Sequence, residues 1–534
     1  MFRAAAAGRG SSTAASGDGS AQGWPTSAKG GLERRILAAI ILGGFVARAA
    51  VALVSENILW PDEIFQYLEQ GHRAVFGYGY IPWEFRYAAR SWLLPGFIAF
   101  WLWLSKTAHL DAPSFYVPFI KLAFCALSTT LIYTAYRTGR NIAGARAGLL
   151  AALLIAGWYE LIYFAHKPLT EAVATYSLVA SLAFATEPRP SQRQALCCGF
   201  FAGLAAVLRL QYAPCVGIIG VYCLLRWPVR ATASAAAAGF AAAMLAGAVD
   251  RLTWGGWFET FIVSYRLNAV MHVSEWFGTL PTLWYAGAMS VTSAGLLWLP
   301  LALGWVRRLS VSRLPVVCAA AVLATHSLVA HKEYRFIVAA LPLLWLTAAV
   351  LLERGLAKGW LDRRGALIAI AVFFAVSALG LTYRLPGQAR VYNAGSLLGR
   401  SPNLDAYLAL SQEPELGALL SNEDPRFALP VVATGGYYYL HRPVPVYFPS
   451  ELRAAGETPG SLRDIVTHLL VPVHARRIEG FATQAEVGDL EIRRRWPERG
   501  PLRQLCLPPV QADAYIDQIL DGLRIHRARP DPCH

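Results

Sequence analysis

Charged residues are scarce in this sequence. Only 15% of its 534 residues are Asp, Glu, Lys or Arg, whereas 55% are hydrophobic. Soluble globular proteins carry about 25% charged residues, so the composition excludes an ordinary soluble domain. The mean hydropathy is +0.39, and the 17 Trp and 23 Tyr fit the aromatic belts at membrane–water interfaces. The sequence therefore predicts an α-helical polytopic membrane protein.

Patterns that hold a metal or a cofactor are also lacking. The eight Cys show no zinc-like spacing, and no glycine-rich loop of the kind that cradles phosphate occurs. Asp62 and Glu63 could in principle hold a divalent ion, but an Asp-x-Asp pair is the stronger signal, so we expect no metal and no cofactor. The net charge of +14 is explained by basic cytoplasmic loops rather than by nucleic acid.

The N-terminal region has no clean small-x-small cleavage site, which argues against a signal peptide. Residues 1–35 are rich in Ala, Gly and Ser and are expected to form a disordered cytoplasmic tail. The apolar residues 36–54, which include Arg48, then form an uncleaved first membrane helix. Cys506 and Cys533 could pair if the C-terminal part lies outside the cytoplasm, and the sequence leaves this open.

Apolar segments continue along residues 36–383. They indicate about eleven membrane helices, near residues 36–54, 113–135, 145–165, 172–187, 194–208, 213–226, 231–249, 283–303, 314–330, 336–352 and 365–383. A shorter apolar stretch, residues 91–104, decides the orientation. If it lies at the outer interface, the Arg-rich loops all fall inside, as the positive-inside rule expects; if it crosses the membrane, they all fall outside. We therefore predict an interfacial helix at 91–104.

This topology divides the chain after the tail into two parts. Residues 36–383 form the transmembrane domain, with a long first outer loop at 55–112. Residues 384–534 form a small extracytoplasmic α/β domain, because LPVVAT (429–434) and VPVYF (444–448) predict strands and DAYIDQILDGLR (513–524) predicts an amphipathic helix. This domain could help to bind a substrate or could be a purely structural cap, and the pattern favours neither.

The unusual polar clusters share the outer face in this topology. They are WPDEIFQYLEQ (60–70), AHKPLTE (165–171), RLQYAP (209–214), DRLTWGGWFETFIVSYRLN (250–268), VSEWFGTLP (273–281) and HKEYRF (331–336). Acidic and basic residues at membrane boundaries are often functional. Polar clusters that converge on one membrane face suggest a single site there.

Two adjacent acids, Asp62 and Glu63, follow the first membrane helix directly. A carboxylate at the water–membrane boundary can act as a general base that takes a proton from a hydroxyl group. The alternative is that the two acids cap a helix of the outer loop, since Asp after Pro is a common helix start. Spacing alone does not choose between these interpretations.

The HKEYRF cluster adds cations to the same face. Lys and Arg suit phosphate, Arg through its planar fork and Lys as a point charge. His331, Lys332 and Arg335 are therefore candidates for binding a lipid-linked phosphate, with Arg209 and Lys167 as weaker ones. Snorkelling of long basic side chains to the interface is the alternative for each of them.

Aromatic loops supply weaker candidates for contacts with a sugar or an acceptor. The stretch YGYIPWEFRYAARSWLLP (78–95) contains Trp83, Glu84 and Arg90, and the loop 250–281 contains Trp257. Aromatic faces can stack on sugars and isoprenoid chains, but Trp is also an ordinary interface anchor. Lys167 completes this weaker set.

Five of these stretches together resemble the Alg9-like mannosyltransferases, glycosyltransferase family 22. The resemblance runs from about residue 55 to residue 345, and it is carried by WPDEIFQYLE, YGYIPWEFRYAARSWLLP, DRLTWGGWFETFIVSYRLN, SEWFGTLPTLWY and HKEYRF. Within the family it is most similar to the third mannosyltransferase of GPI anchor synthesis. It implies a GT-C fold and transfer of mannose, or another hexose, from a polyprenyl-phosphate sugar to a lipid-linked or glycan acceptor. It also implies inversion and no metal.

The resemblance carries roles over to particular residues. The family's loop acid matches Asp62 as the base, with Glu63 as its neighbour, which makes residues 36–383 a catalytic domain. The HKE.RF signature matches His331, Lys332, Glu333 and Arg335, and the chemistry of these side chains suggests that they grip the donor phosphate.

Some positions depart from the family pattern. Trp60 stands where the family usually has His, and residues 165–171 and 209–214 also differ. These departures leave the acceptor open. The Ala-rich and Arg-rich composition is typical of a bacterial chain from a GC-rich genome, which predicts the inner membrane with the site facing the periplasm; a eukaryotic member would lie in the ER membrane.

Two other classes of function compete with an enzyme. A transporter or flippase of a lipid-linked saccharide would also have a polar site in a helical bundle. It would not require a long loop with two acids, and no internal repeat of the kind common in transporters is visible. A scaffold without catalysis is the third class, and the presence of both acids and of HKEYRF argues against it.

Overall fold

The computed structural model describes residues 28–308, 313–392, 396–424, 430–497, 500–505 and 511–522. Cys506, Cys533 and residues 1–27 of the predicted tail lie outside these ranges. The first helix is Ala28–Val54, so residues 28–35 are helical and extend the first apolar segment at its N-terminal end.

Each of the eleven predicted membrane segments contains helix. The helices are Ala28–Val54, Pro113–Ala143, Ala145–Gly157 with Tyr159–Tyr163, Thr170–Ala185, Gln192–Leu208, Ala213–Arg226, Val229–Thr253, Trp284–Thr292 with Trp298–Val306, Arg313–Leu328, Ala340–Ala357 and Arg363–Leu381. Among the described residues, five helices are long and apolar enough to cross a membrane, and a broken pair bent by 65° makes a sixth. The predicted fold class of a polytopic helical membrane protein is confirmed.

Small residues let two of these helices approach closely. Gly199 and Gly203 of Gln192–Leu208 face the Ala-rich helix Val229–Thr253, and a Cβ atom added to Gly199 would lie only 1.7 Å from the carbonyl oxygen of Ala235. Glycines four residues apart allow such backbone contact, which is a common way for membrane helices to associate.

Arg48 is a charged residue inside the first membrane helix, and it has a specific partner. Its guanidinium donates to the carbonyl oxygens of Ile155 and Ala156 at 3.1 Å each, and to that of Gly44 at 3.0 Å. The first two carbonyls stand where Ala145–Gly157 ends, just before the 65° bend. The last carbonyls of a helix have no partner within the helix. Arg48 therefore supplies hydrogen-bond donors to the carbonyls that the bend leaves unpaired.

The first loop, residues 55–112, contains four helical pieces. They are the π-helix Glu63–Leu68 and the α-helices Glu69–Phe76, Trp83–Arg86 and Leu93–Thr107. The last of these corresponds to the predicted interfacial helix at 91–104, and its 15 residues fall short of the roughly 20 that a perpendicular span needs.

Shorter helices fill the connections and the C-terminal part. Those before residue 340 are Phe164–His166, Leu210–Tyr212, Glu259–Tyr265, Arg266–Val270, Val273–Phe277 and Tyr334–Ile337. Those after residue 384 are Gln388–Tyr392, Pro402–Ser411, Pro430–Ala433, Gly436–Leu440, Pro449–Ala454, Pro459–Ser461, Leu462–Ile465 and Gln511–Gly522.

The C-terminal part also contains a five-stranded mixed sheet, which confirms the predicted small α/β unit. Its strands are β1 (Leu419–Leu420), β2 (Val446–Tyr447), β3 (His468–Pro472), β4 (Phe481–Val487) and β5 (Leu490–Arg495). The order is β2-β1-β3-β5-β4. Strand β1 pairs in parallel with β2 and β3, whereas β5 is antiparallel to β3 and β4.

One strand prediction in this part is wrong. The described residues of this run, LPVVAT, begin with the 3₁₀-helix Pro430–Ala433 instead of a strand. Pro430 cannot donate to a sheet, and the hydroxyl of Thr434 donates to the carbonyl of Val431 at 2.8 Å, which closes a local turn. By contrast, VPVYF contains β2, and DAYIDQILDGLR lies largely within the helix Gln511–Gly522, as predicted.

Glu69 ties the first loop to the C-terminal part. The buried carboxylate accepts hydrogen bonds from the backbone N–H groups of Tyr80 at 2.7 Å, Tyr437 at 3.2 Å and Tyr438 at 2.8 Å. The last two donors belong to the first turn of Gly436–Leu440, where N–H groups have no partner within the helix. The C-terminal part therefore packs directly against the loop that carries Asp62.

Replacing Gly436 by alanine tests this contact. Gly436 has φ +58°, and an added Cβ would lie 2.7 Å from Oε2 of Glu69. We expect the variant to weaken the docking by roughly 1–3 kcal/mol, with faster amide hydrogen exchange in residues 430–447. Gly456→Ala is the control, because Gly456 has φ +79° but open space around it. If amide hydrogen exchange in residues 430–447 is equally fast in both variants, backbone strain and not the contact with Glu69 explains the effect of Gly436→Ala.

Candidate functional site

Asp62 and Glu63 are adjacent in sequence but face different partners. Oδ2 of Asp62 lies 2.5 Å from Nη2 of Arg335, and 26% of the Asp62 side chain is exposed. Glu63 is buried, and its Oε2 lies 2.8 Å from Nζ of Lys167. Successive residues of a helix point about 100° apart. The π-helix that starts at Glu63 thus turns one acid towards the open site and the other towards the interior.

The capping interpretation does not describe Asp62. It occupies the N-cap position of the π-helix, but its side chain makes no capping hydrogen bond. Glu63 accepts a hydrogen bond from the backbone N–H of Trp60 at 3.3 Å, so the local turn is held by Glu63. Single-turn π-helices are frequent at functional sites.

Arg335 is the centre of a buried group of ionic contacts. Its Nε donates to Oε2 of Glu333 at 2.7 Å, and its Nη2 lies 3.2 Å from Oε1 of the same side chain. Oε1 of Glu171 lies 3.8 Å from Arg335 and 3.1 Å from Arg209. Side chains of four segments that are far apart in sequence therefore form one row of alternating charges, Arg209, Glu171, Arg335 and Asp62, in which only Arg335 contacts Asp62 directly.

Trp60, one of the departures from the family pattern, takes part in this arrangement. The guanidinium carbon of Arg335 lies 5.7 Å from the centre of the Trp60 ring, and Trp60 stacks on Phe164 at 5.5 Å. Aromatic faces attract guanidinium groups, and Trp does so most strongly. The indole thus helps to fix the cation that contacts Asp62.

His331 and Lys332 connect two loops. Nδ1 of His331 lies 2.8 Å from the carbonyl oxygen of Gly278, and Nε2 lies 3.1 Å from Oε1 of Glu333. Both partners are acceptors, so only the doubly protonated imidazolium can donate to both. Nζ of Lys332 donates to the carbonyl of Leu280 at 3.1 Å and to that of Val329. These contacts fasten residues 278–280 to the segment that carries Arg335.

The pKa values of this segment follow from its contacts. Burial alone would raise the pKa of Glu333, but Arg335 and His331 together lower it to about 2. Burial acts to lower the pKa of His331, whereas the hydrogen bonds to Glu333 and Gly278 raise it, and the net direction is upward. Glu333 is therefore held in its charged form near neutral pH, and its contact with His331 favours the charged imidazolium.

A second group of polar side chains on the first loop lies close enough to Asp62 to be affected by its charge. Nε2 of Gln66 donates to Oε1 of Glu84 at 2.8 Å, and Glu84 is buried. Burial raises the pKa of Glu84 to about 7, and the charge of Asp62 adds to this shift. Arg90 follows on the same stretch, and its guanidinium senses the charges of Asp62 and Glu84.

The remaining candidates lie further from this centre. Lys167 is the partner of Glu63, and its Nζ also donates to the backbone carbonyl of Asn57 at 2.8 Å. Trp83 packs against a small apolar cluster that includes Tyr87 and Val263. Trp257 is about half exposed, at 49%, and its ring centre lies 6.3 Å from that of Phe258. None of these contacts involves Asp62.

Glu171 is a site residue that the sequence analysis did not single out. It is buried and bridges Arg209 and Arg335. The signal was present, because Glu171 is an acid in the first turn of the apolar helix Thr170–Ala185, and an acid within such a helix is costly unless it is paired. In the described ranges, no group of three or more His, Cys, Asp or Glu side chains is arranged to hold a metal ion.

Comparison with known proteins identifies the family of this chain. The model of the Alg9-like mannosyltransferase family matches residues 40–398, which include Asp62, Glu171, Arg209 and Arg335. The chain belongs to this family. The resemblance carried by the five motifs is thus confirmed.

Individual family members are similar over most of the chain. GPI mannosyltransferase 3 of Yarrowia lipolytica is 28% identical over 422 residues, which cover 77% of this chain and 76% of that protein. GPI alpha-1,2-mannosyltransferase 3 of Danio rerio is 26% identical over 405 residues, covering 73% of this chain and 70% of that protein. These relatives support a membrane glycosyltransferase.

A solved structure shows the same fold. ArnT from Cupriavidus metallidurans, bound to undecaprenyl phosphate, superposes with a TM-score of 0.55 at 13% identity, over 88% of this chain and 98% of ArnT. At this identity the likeness concerns the fold alone. It agrees with the predicted GT-C architecture of this family member.

Proposed function

We propose that this mannosyltransferase-family member moves mannose, or another hexose, from a polyprenyl-phosphate sugar to a lipid-linked or glycan acceptor. The transfer inverts the anomeric centre and uses no metal. The observation that carries the proposal is the contact between Asp62, a partly exposed carboxylate, and Arg335, a buried guanidinium. The ArnT structure with undecaprenyl phosphate supports a polyprenyl-phosphate donor, because it shows this fold holding that class of lipid.

Asp62 acts as the general base in this proposal. Its carboxylate takes the proton from the acceptor hydroxyl while that oxygen forms a bond to the anomeric carbon. The bond between the anomeric carbon and the phosphate oxygen breaks, and the electron pair leaves with the polyprenyl phosphate. Attack from the side opposite to the leaving group inverts the centre.

Arg335 links the two charges that change. It contacts Asp62 while the carboxylate is negative. When Asp62 takes up the proton, this negative charge disappears, and the positive charge of Arg335 is then available to the phosphate that is gaining charge. A preorganised donor of this kind can lower the barrier by roughly 3–4 kcal/mol. Because Glu333 and Glu171 hold the guanidinium in place, no large movement is required.

The other predicted phosphate ligands act through Arg335 in this proposal. His331 and Lys332 fasten the segment that carries it, through the carbonyls of Gly278 and Leu280, and Arg209 holds Glu171. Glu63 holds the turn that presents Asp62, through its pair with Lys167. We propose that these residues position the reacting groups without contacting the sugar.

We place the site on the outer face of the membrane. The support is the distribution of basic residues, since the Arg-rich connections of the helices all lie on the opposite side in that orientation. In a bacterium this puts the transfer at the periplasmic face of the inner membrane, and in a eukaryote at the luminal face of the ER membrane.

A product search tests the proposed function. The purified protein is incubated with short-chain polyprenyl-phosphate mannose and a lipid extract from the source cell, and mass spectrometry follows hexose addition. We expect a hexosylated lipid or glycan with the wild type and none with Asp62→Ala. If the donor stays intact with every polyprenyl-phosphate sugar tried, the proposal is wrong. In that case movement of the intact lipid across vesicles would support a flippase.

Glu84 is expected to make donor binding depend on pH. Its raised pKa means that the carboxyl becomes negatively charged as the pH rises through about 7. An extra negative charge then faces a phosphodiester donor, and the KM for the donor should rise by roughly threefold to tenfold. Glu84→Gln should remove this rise. His331 also titrates, so the donor KM is measured against pH for both the wild type and Glu84→Gln, and the two curves are compared. If the two curves are identical, Glu84 is not the source of the pH dependence.

A further inference from the structure

Arg90 differs from the other basic side chains around Asp62. Arg335, Arg209 and Lys167 each lie within ion-pair distance of a carboxylate, and Lys332 donates to backbone carbonyls. Within the described part of the chain, the Arg90 guanidinium has no hydrogen-bonded or ion-paired partner, and its buried Nε is unsatisfied.

An unsatisfied buried Nε is not special to Arg90, because Arg48, Arg209 and Arg495 share it. These side chains, however, each have a hydrogen-bonded or ion-paired partner at another guanidinium nitrogen, and Arg90 has none in the described part of the chain. Arg48 donates to three carbonyls, and Arg493 donates to Glu491 and to the carbonyls of Ala475 and Arg476. An unsatisfied buried polar group destabilises the fold, and a charged one does so more strongly. The Arg90 guanidinium is therefore less well satisfied than these groups, as expected for a group that binds a ligand.

The charges near Arg90 keep it cationic. Burial acts to lower its pKa, but the nearby Tyr67 and Asp62, followed by Glu84, outweigh this effect and the pKa is raised. The guanidinium thus lies close enough to these groups to sense them, without forming a direct ion pair. An anion placed beside it would meet a full positive charge.

The backbone around Arg90 is held firmly. The carbonyl oxygen of Arg90 accepts a hydrogen bond from Nε1 of Trp254 at 3.2 Å. Three residues earlier, the hydroxyl of Tyr87 lies 3.1 Å from Oδ1 of Asp517 and 3.0 Å from Oδ1 of Asp521, both on the helix Gln511–Gly522. A rigid backbone increases the affinity of a ligand-binding side chain, because less conformational freedom is lost when the ligand binds.

We propose that Arg90 binds the phosphate of the polyprenyl-phosphate donor, from the first loop and opposite Arg335. This inference rests on the proposed function and deepens it. The planar fork of Arg90 donates two hydrogen bonds to phosphate oxygens, while Arg335 remains beside Asp62. The phosphate is then held between two guanidinium groups that come from loops about 245 residues apart in sequence, and the anomeric carbon is left facing Asp62.

Binding of a phosphate lipid tests this role without turnover. The probes are a short-chain polyprenyl phosphate and the matching polyprenol, which lacks the phosphate, added to protein in phosphatidylcholine nanodiscs. We expect Arg90→Gln to weaken binding of the phosphate roughly tenfold to a hundredfold and to leave binding of the polyprenol unchanged. Donor KM should rise in parallel, and acceptor KM should not.

Arg251→Gln is the matched control. Arg251 is exposed and lies three residues before Trp254, so the variant removes one positive charge close by without touching the site. Its affinity for the phosphate should stay within about twofold, as expected for a screened surface charge. If Arg90→Gln does not fold, Arg90→Lys replaces it, and a roughly threefold or greater loss is expected because a point charge lacks the planar fork.

The outcomes separate this inference from the proposed function. Wild-type affinity in both Arg90 variants, or a rise in acceptor KM alone, would overturn the assignment of Arg90, and loss of transfer in Asp62→Asn would still support the function. A wild-type protein that neither binds the phosphate preferentially nor transfers a hexose would overturn both.

Discussion

Replacing Asp62 by asparagine is expected to lower the rate of glycosyl transfer by a factor of roughly 10² to 10⁴, the usual contribution of a general base. Asparagine has the same shape and can still accept a hydrogen bond from Arg335, so the site keeps its form. It cannot take the proton of the acceptor hydroxyl. The rate is measured in a single turnover with saturating donor, so that product release does not mask the chemical step.

Donor binding should survive this substitution. Arg335 remains bonded to Glu333 and close to Glu171 in the variant, so the cation facing the phosphate stays in place. The affinity for the donor is therefore expected to remain within a few-fold of the wild-type value or to increase, since a negative charge is removed. Transfer by Asp62→Asn at the wild-type rate would show that another group takes the proton.

Replacing Lys167 by methionine is expected to cause a large loss of stability. Only 4% of the Lys167 side chain and 5% of the Glu63 side chain are exposed, and their charged atoms are 2.8 Å apart. Removing one partner leaves a buried charge without its counter-ion, which costs roughly 3–5 kcal/mol. The free energy of unfolding can be measured by titrating the purified protein with a denaturing detergent.

The double variant Glu63→Gln/Lys167→Met is the matched control. It removes both charges, so most of the lost stability should return, because a buried pair is often replaced by neutral groups at little cost. Its transfer rate then shows whether Glu63 is structural, as proposed. A folded double variant that transfers as slowly as Asp62→Asn would place Glu63 in the chemistry instead.

Much of the fold follows from hydropathy alone. Eleven apolar stretches predict about eleven membrane helices. The structure has helix in each stretch, and within the described residues five or six of these helices are long and apolar enough to cross a membrane. Helix in each apolar stretch is expected, because a membrane helix satisfies its backbone hydrogen bonds within its own segment. The local sequence therefore determines its position. The strand assigned to LPVVAT was wrong for a local reason as well, since the proline at its start removes the donor that a sheet requires.

The site was only partly predictable from the sequence. Motif types pointed to Asp62 and to HKEYRF, and both lie at the centre. The contact of Asp62 with Arg335 joins residues 273 positions apart. A contact between residues so far apart cannot be predicted from a single sequence. Asp62 and Glu63 point in different directions because a π-helix starts at Glu63. Residue propensities do not predict where a π-helix starts.

The measurement that tests the central claim most directly is the fate of the donor in one assay of the wild type and Asp62→Asn. Polyprenyl-phosphate mannose, an acceptor fraction and purified protein are combined, and free polyprenyl phosphate and hexosylated product are quantified together. We predict that the wild type releases one polyprenyl phosphate for each hexose transferred, while the variant binds the donor and releases almost none. An intact donor with the wild type, or equal release by both proteins, would contradict the assignment of Asp62 as the base of a glycosyltransferase.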